Sequence, residues 1–219
     1  MVPGPLLVFS PHLDDAVLSL GCALAARPGS VVVTVLAGVP ADGSALTEWD
    51  AKCGFRRSAD AMRVRWLEDA RALQALGATP VHLSHLDGQY GSVDSAALIA
   101  QIADLAEAHS ELAALGLIGM GHPDHTLVAE AFVAAMEWIG RDQFWLAADL
   151  PYSELGGGSE GRVRRLQARG FMVERDEGGP FDPEVKRAAR DCYRSQLVGL
   201  GEVPLDAPEV FWRVALSRG

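Results

Sequence analysis

Two short stretches of the 219-residue chain crowd side chains of the kinds that hold metal ions and move protons: PHLDD at 11–15 and GHPDH at 121–125. Two imidazoles and one carboxylate are the ligand set of many catalytic zinc sites, where three protein ligands leave a fourth position for water. His12, Asp15 and His125 supply that set. Asp14 is adjacent to one ligand yet cannot easily point the same way as Asp15, which leaves it free to act as general base toward a metal-bound water. His122, close before His125, can donate to a developing oxyanion or a leaving nitrogen. Asp124 can fix the tautomer of a neighbouring histidine.

Each motif alone has a simpler explanation. Asp14 or Asp15 could be the N-cap of a helix, since an apolar periodic segment follows. His122 and His125 could be turn residues around Pro123. Two such clusters at equivalent positions in the chain favour a metal site over two coincidences. His82, His85 and His109 lack such partners and are expected in surface or structural roles.

The clusters lie about 110 residues apart, so chain topology must bring them together. Short apolar or β-branched runs alternate with longer segments of helical period, the pattern of βα units around a mainly parallel sheet. Strands are expected at 6–10, 30–37, 80–86, 115–120 and 143–150, with helices near 16–26, 56–76, 93–109 and 126–139. Both clusters then follow a strand and open a helix. Open α/β sheets bind ligands at the carboxyl ends of their strands, where strand order reverses. In a 3-2-1-4 order the first and fourth strands are neighbours across that point, and the two clusters converge. After Pro151 the rhythm changes: GGGSEG at 156–161 reads as a flexible joint, 163–169 and 184–197 as helical, 171–175 and 211–216 as extended. The segment 38–49, rich in Ala, Gly, Pro and Ser, is long for a βα connection and reads either as a lid or binding loop or as a solvated loop.

A chain of this length with 49% hydrophobic residues can bury a sizeable core, most simply as one domain over 1–219, with 151–219 an extension that completes or flanks the sheet. No apolar run reaches the roughly 18 to 20 residues of a membrane span, and the start MVPGPLLVFS lacks a secretory signal pattern, so a cytoplasmic location is expected. Cys22, Cys53 and Cys192 are odd in number and without CxxC spacing, which argues against a disulfide framework or a thiolate zinc site. A formal charge of -10 with no basic stripe excludes nucleic acid as a partner. A homo-oligomer stays open.

PHLDD near the N-terminus with GHPDH further on resembles the LmbE-like (PIG-L) family of zinc-dependent N-acetylglucosaminyl deacetylases. The first motif of that family usually reads PHPDD or HPDDE; here Leu13 replaces the proline and Ala16 the glutamate, which leaves the ligand positions intact. The resemblance implies Zn2+, or another divalent metal, at His12, Asp15 and His125, the base at Asp14, an electrostatic or acid role for His122 and an orienting role for Asp124. It also implies a Rossmann-like three-layer α/β/α sandwich with a mostly parallel sheet.

The similarity extends over roughly the first 150 residues, including RWLEDARALQALG at 65–77 and LSHLDG at 83–88, and implies sugar contacts for Arg65 and Asp87. Without it, Arg65 would read as a helix-surface charge near Glu68 or Asp69, and Asp87 with Gly88 as a turn. DLPYSE and KRAARDCYRSQL echo the family too; Tyr152 either lines the mouth of the site or packs. The reaction implied is removal of an acetyl or longer acyl group from an N-acylated amino sugar or its small-molecule conjugate. Two other classes compete. A two-metal phosphoesterase would need a larger bridging carboxylate set than the two motifs supply, and a non-catalytic metal- or sugar-binding protein would have no use for Asp14.

Overall fold

The computed structural model describes residues 2–153, 158–176, 179, 181–201, 203 and 205–216. β1 (Leu6–Ser10) is buried along its whole length. A central strand covered on both faces carries such an apolar run rather than an alternation. β2 (Val31–Thr34) and β4 (Ala113–Leu117) flank it in parallel, so that Val8 lies between Val32 and Leu115. β3 (Thr79–His82) joins beyond β2 and β5 (Gln143–Ala147) beyond β4, again in parallel. β7 (Phe211–Leu216) pairs antiparallel with β5, and β6 (Phe171–Asp176) antiparallel with β7. Among the described residues the sheet order is β3-β2-β1-β4-β5-β7-β6. The first four positions follow the expected order, and the strands after Pro151 form the antiparallel edge.

Alternate residues of β1 feed two cores. Leu7 and Phe9 pack with α4 (Ser95–Ala108), α5 (Pro123–Trp138) and α6 (Glu160–Ala168) on one face. Leu6 and Val8 pack with α1 (Asp15–Ala25), α3 (Ser58–Ala75) and α7 (Pro183–Arg190) on the other. The molecule is thus a Rossmann-like three-layer α/β/α sandwich. Two short helices, α2 (Glu48–Lys52) and α8 (Arg194–Leu200), meet where Lys52 Nζ donates to the Gly199 carbonyl at 2.7 Å. Glu209 ties the C-terminal segment to α1: its carboxylate accepts from Cys22 N at 2.8 Å and Ala23 N at 2.9 Å, and stands 3.1 Å from the buried Lys186 Nζ. No helix among the described residues is long and apolar enough to cross a membrane.

Several boundaries differ from expectation for physical reasons. β2, β3 and β4 stop before their apolar runs do: Val35, Leu36, Leu83, Ile118 and Met120 are buried without being strand residues. The helix expected at 184–197 is two helices, α7 and α8. Tyr193 stands between them, buried, and donates its hydroxyl to Asp69 of α3 at 2.7 Å. Within the segment read as a loop, Thr47 Oγ1 accepts from Asp50 N at 3.1 Å and caps α2. Of the joint GGGSEG, residues 156 and 157 lie outside the described residues.

Candidate active site

The first motif leaves the sheet at Ser10 and turns into α1 at Asp15. Asp14 occupies the N-cap position, and its carbonyl accepts from Val17 N and Leu18 N, both at 3.0 Å, but its side chain makes no capping bond. The capping explanation therefore accounts for the backbone of Asp14 and not for its carboxylate. Asp15 instead turns Oδ2 back to accept from His12 N at 2.9 Å. The second motif is reached through Gly119 and Gly121, with φ of +85° and +70°. A Cβ at Gly121 would lie 2.2 Å from Tyr152 Cδ1, so only glycine fits there. His122 then caps α5, its Nδ1 accepting from Asp124 N at 3.2 Å, with Pro123 in the first turn.

Topology brings the two motifs together as their strand order required. Asp15 Oδ2 lies 3.2 Å from His12 Nδ1 and 3.2 Å from His125 Nε2. One ligand atom from each of the three residues falls within 4.8 Å of the others. The outer ring nitrogens are both backed by carboxylates: His12 Nε2 donates to Asp124 Oδ2 at 3.0 Å, and His125 Nδ1 to Asp149 Oδ1 at 2.6 Å. Those carboxylates are anchored in turn, Asp124 Oδ2 by Gly88 N and Asp149 Oδ2 by Gly119 N, each at 2.9 Å. Metal-binding histidines are held in this way, with the distal N–H given to a carboxylate that fixes tautomer and ring orientation. The donor set of two imidazole nitrogens and a carboxylate oxygen thus fits a divalent ion such as zinc. His12, His122 and Asp124 form a second possible grouping. It shares His12, and a neutral imidazole offers a single lone pair, so the two groupings are alternative seats for one ion. In the second seat Asp124 Oδ2 is already engaged, and the His122 side chain is 41% exposed.

Burial and mutual charge set the titration of these groups. Burial, with the charge of Asp15 added, pushes Asp14 up to about 7. Burial would raise Asp15 as well, but His125 and His12 hold it well below the ordinary carboxylate range. Burial disfavours a charged His125, yet Asp15 and Asp149 outweigh it and bring the ring up to about 9. His12 is likewise raised, against burial, by Asp124 and Asp15. His122 is lowered by burial and by its histidine neighbours. Asp124 lies at about 2, its desolvation overcome by His12 and the Gly88 amide.

The motifs open on a cavity of about 590 Å³ that Arg65, Asp87 and Tyr152 also line. Tyr152 sets its ring edge-on against His125 with centroids 5.0 Å apart. Asp87 forms the turn its sequence suggested, accepting from Gln89 N at 3.0 Å, and still faces the cavity. Arg65 is not a helix-surface charge: it is buried and pairs with Asp50 Oδ1 at 2.7 Å. Its helical neighbours are committed elsewhere, Glu68 to Ser195 and Asp69 to Tyr193 and His82. Of residues 38–49, Trp49 reaches the cavity. Among the other histidines, His82 stacks on Trp66 and His85 bonds Gln101, both structural arrangements. Sequence reasoning missed Asp149, whose only signal was its place before Leu-Pro where β5 leaves the sheet beside β4.

Fold and site together define a class: α/β-sandwich enzymes whose histidines and carboxylates meet at the strand-order switch point. Residues 7–136 match the profile of PIG-L, GlcNAc-PI de-N-acetylase, and the chain belongs to that family. It is a deacetylase of that family, an amide hydrolase acting on a carbon–nitrogen bond other than a peptide bond. No curated protein matches the chain in sequence. Among solved structures, a deacetylase–bog complex from the teicoplanin biosynthesis pathway is 26% identical with a TM-score of 0.78, over 97% of this chain and 98% of that one. Dbv21, the deacetylase of the pseudoaglycone of the antimicrobial reagent A40926, is 27% identical with a TM-score of 0.75, over 98% of each chain. The zinc-inhibited form of teicoplanin deacetylase Orf2, 24% identical over 97% of this chain and 98% of that one with a TM-score of 0.77, shares the fold.

Proposed function

We propose that the protein removes the acetyl or acyl group from the nitrogen of an amino-sugar conjugate, with His12, Asp15 and His125 holding a divalent metal and Asp14 acting as general base. The observation that carries this reading is the carboxylate of Asp14, buried beside the three-ligand cluster and not spent on capping the helix it precedes. When bound, zinc or a similar ion supplies Lewis acidity at the amide carbonyl and lowers the pKa of adjacent water. Asp14 takes the proton of the attacking water and is the natural group to return it to the departing amine. His122 contributes a donor: because Nδ1 accepts the Asp124 amide, the neutral ring carries its proton on Nε2, available to a developing oxyanion or to the leaving nitrogen. Asp124 and Asp149 keep the rings of His12 and His125 turned toward Asp15.

The sugar assignment draws on the family description, GlcNAc-PI de-N-acetylase, and on similar proteins that are a deacetylase of the teicoplanin biosynthesis pathway and an A40926 pseudoaglycone deacetylase. A cavity of about 590 Å³ suits a small-molecule ligand. Arg65, Asp87 and Tyr152 provide donors and acceptors for its hydroxyls. The test is a panel of N-acetylated amino sugars and conjugates, incubated with protein loaded in turn with zinc and other divalent ions. Several ions are needed because a similar deacetylase has a zinc-inhibited form. Release of acetate and free amine from at least one substrate is expected; metal binding with no amine release from any would overturn the reading.

A further inference from the structure

The stretch KRAARDCYRSQL at 186–197 lies outside the family match and holds none of the residues given a catalytic or metal-binding role, yet it sends polar side chains to distant elements. Tyr193 bonds Asp69 of α3, and Ser195 bonds the carboxylate of Glu68 through its amide at 2.9 Å and its hydroxyl at 2.6 Å. These contacts clamp the start of α8 to α3 just ahead of Gln196. Gln196 is 4% exposed and lines the cavity. Its Nε2 donates at 2.7 Å to the carbonyl of Leu13, inside the first motif and next to Asp14. A carbonyl can only accept, so the nitrogen end of the amide is committed to Leu13 and the oxygen end is turned elsewhere. Among the described residues no donor meets Oε1, and that oxygen is not sealed from solvent. Oε1 is therefore an acceptor held open toward the cavity by a side chain that is otherwise buried.

We propose that Gln196 is a substrate-binding residue whose Oε1 accepts a hydrogen bond from a hydroxyl of the amino sugar. That the ligand is a sugar rests on the deacetylase reading above. An acceptor here is satisfied by an O–H or an N–H, and the scissile nitrogen already has Asp14 and His122 to serve it, which leaves a hydroxyl. Leu200, one turn further along α8, lines the cavity with Leu18 and Trp49. A mostly apolar wall with a few placed polar groups is what fixes the orientation of a small ligand. A ligand that displaces water from this wall without offering the hydroxyl leaves Oε1 unpaired, and loses affinity by the cost of that bare acceptor. The same amide holds the Leu13 carbonyl, so one side chain ties the place of the sugar to the peptide that carries Asp14.

Calorimetric titration of the full-length protein as isolated with glucosamine, which carries no acyl group to remove, and with its 3-deoxy, 4-deoxy and 6-deoxy counterparts tests this. The wild type should bind one of the deoxy sugars about tenfold more weakly than glucosamine. Gln196→Met, similar in length and without the acceptor, should bring that sugar and glucosamine to within about twofold of each other, with the circular dichroism spectrum unchanged. A merely structural role for Gln196 would weaken every sugar alike and leave the wild-type ratio in place. That result in folded Gln196→Met, equal affinities of all four sugars for the wild type, or no binding of any would each overturn the inference. If Gln196→Met does not fold, a crystal structure of the wild type with glucosamine decides it: a sugar hydroxyl about 2.5 to 3.0 Å from Oε1 is expected, and no hydroxyl within that reach would overturn the inference. Amine release from acylated sugars together with a ratio indifferent to Gln196 would contradict this inference alone. A ratio that depends on Gln196 with no amine release from any acylated sugar would contradict the deacetylase reading alone.

Discussion

Asp149→Asn isolates the contribution of a buried carboxylate that touches neither the cavity nor, by this arrangement, the metal. Asp149 Oδ1 accepts from His125 Nδ1 at 2.6 Å and Oδ2 from Gly119 N at 2.9 Å, and its side chain is fully buried. An asparagine amide can accept from one of these donors but presents its own NH2 to the other. One buried donor is then left unsatisfied, at a cost of about 1 to 3 kcal/mol. The ring of His125 also loses the anion that fixes its tautomer, a change that typically lowers metal affinity by about 10- to 100-fold, equivalent to about 1.4 to 2.7 kcal/mol. The first figure is a cost to folding and the second a loss of metal binding, so the two are read by separate measurements. Titration of the metal-free variant with Zn2+ at fixed pH, with thermal unfolding in parallel, should show a weaker site in a protein that still folds. A folded Asp149→Asn with metal affinity within about twofold of wild type would show that His125 is oriented by something else.

Metal binding should depend on pH in a defined direction: His12, raised above its usual 6.5, and His125, at about 9, hold protons at neutral pH that must leave before they ligate. Affinity should therefore rise with pH and fall on acidification, with net release of protons on binding, measurable by calorimetry in buffers of different ionisation enthalpy; no proton release would contradict the ligand set. Gly121→Ala, with φ at +70° and the new Cβ 2.2 Å from Tyr152, should displace that ring and cost about 1 to 3 kcal/mol in denaturant unfolding. An unaltered unfolding midpoint would mean that the turn relaxes freely.

Much of the scaffold was legible because it is written in local pattern. LLVF and Ser10, set between Pro5 and Pro11, gave β1 its limits, and the two polar motifs gave the switch point. What stayed hidden depends on contacts between distant residues. A five-residue helix such as α2 shows no period within a stretch rich in Gly, Ala and Ser. The break between α7 and α8 has no Gly or Pro to announce it; Tyr193 is turned inward by Asp69, which lies 124 residues earlier. Arg65 illustrates the limit most clearly. Glu68 and Asp69 stand at helical spacing from it, yet its partner is Asp50, delivered from α2 by the fold of the preceding loop. Asp149 could not be matched to His125 until β5 was placed beside β4.

The most direct measurement compares amine release by the wild type and by Asp14→Asn on one accepted N-acetylated sugar conjugate, at equal bound metal. An amide at position 14 keeps the shape of the aspartate and cannot accept the proton of the attacking water. Acetate and amine should appear in equal amounts with the wild type, and the rate should fall by about 10² to 10⁴ in the variant with metal content and fold unchanged. Wild-type turnover in Asp14→Asn at full metal occupancy would contradict the assignment of the base, and with it the mechanism proposed for this site.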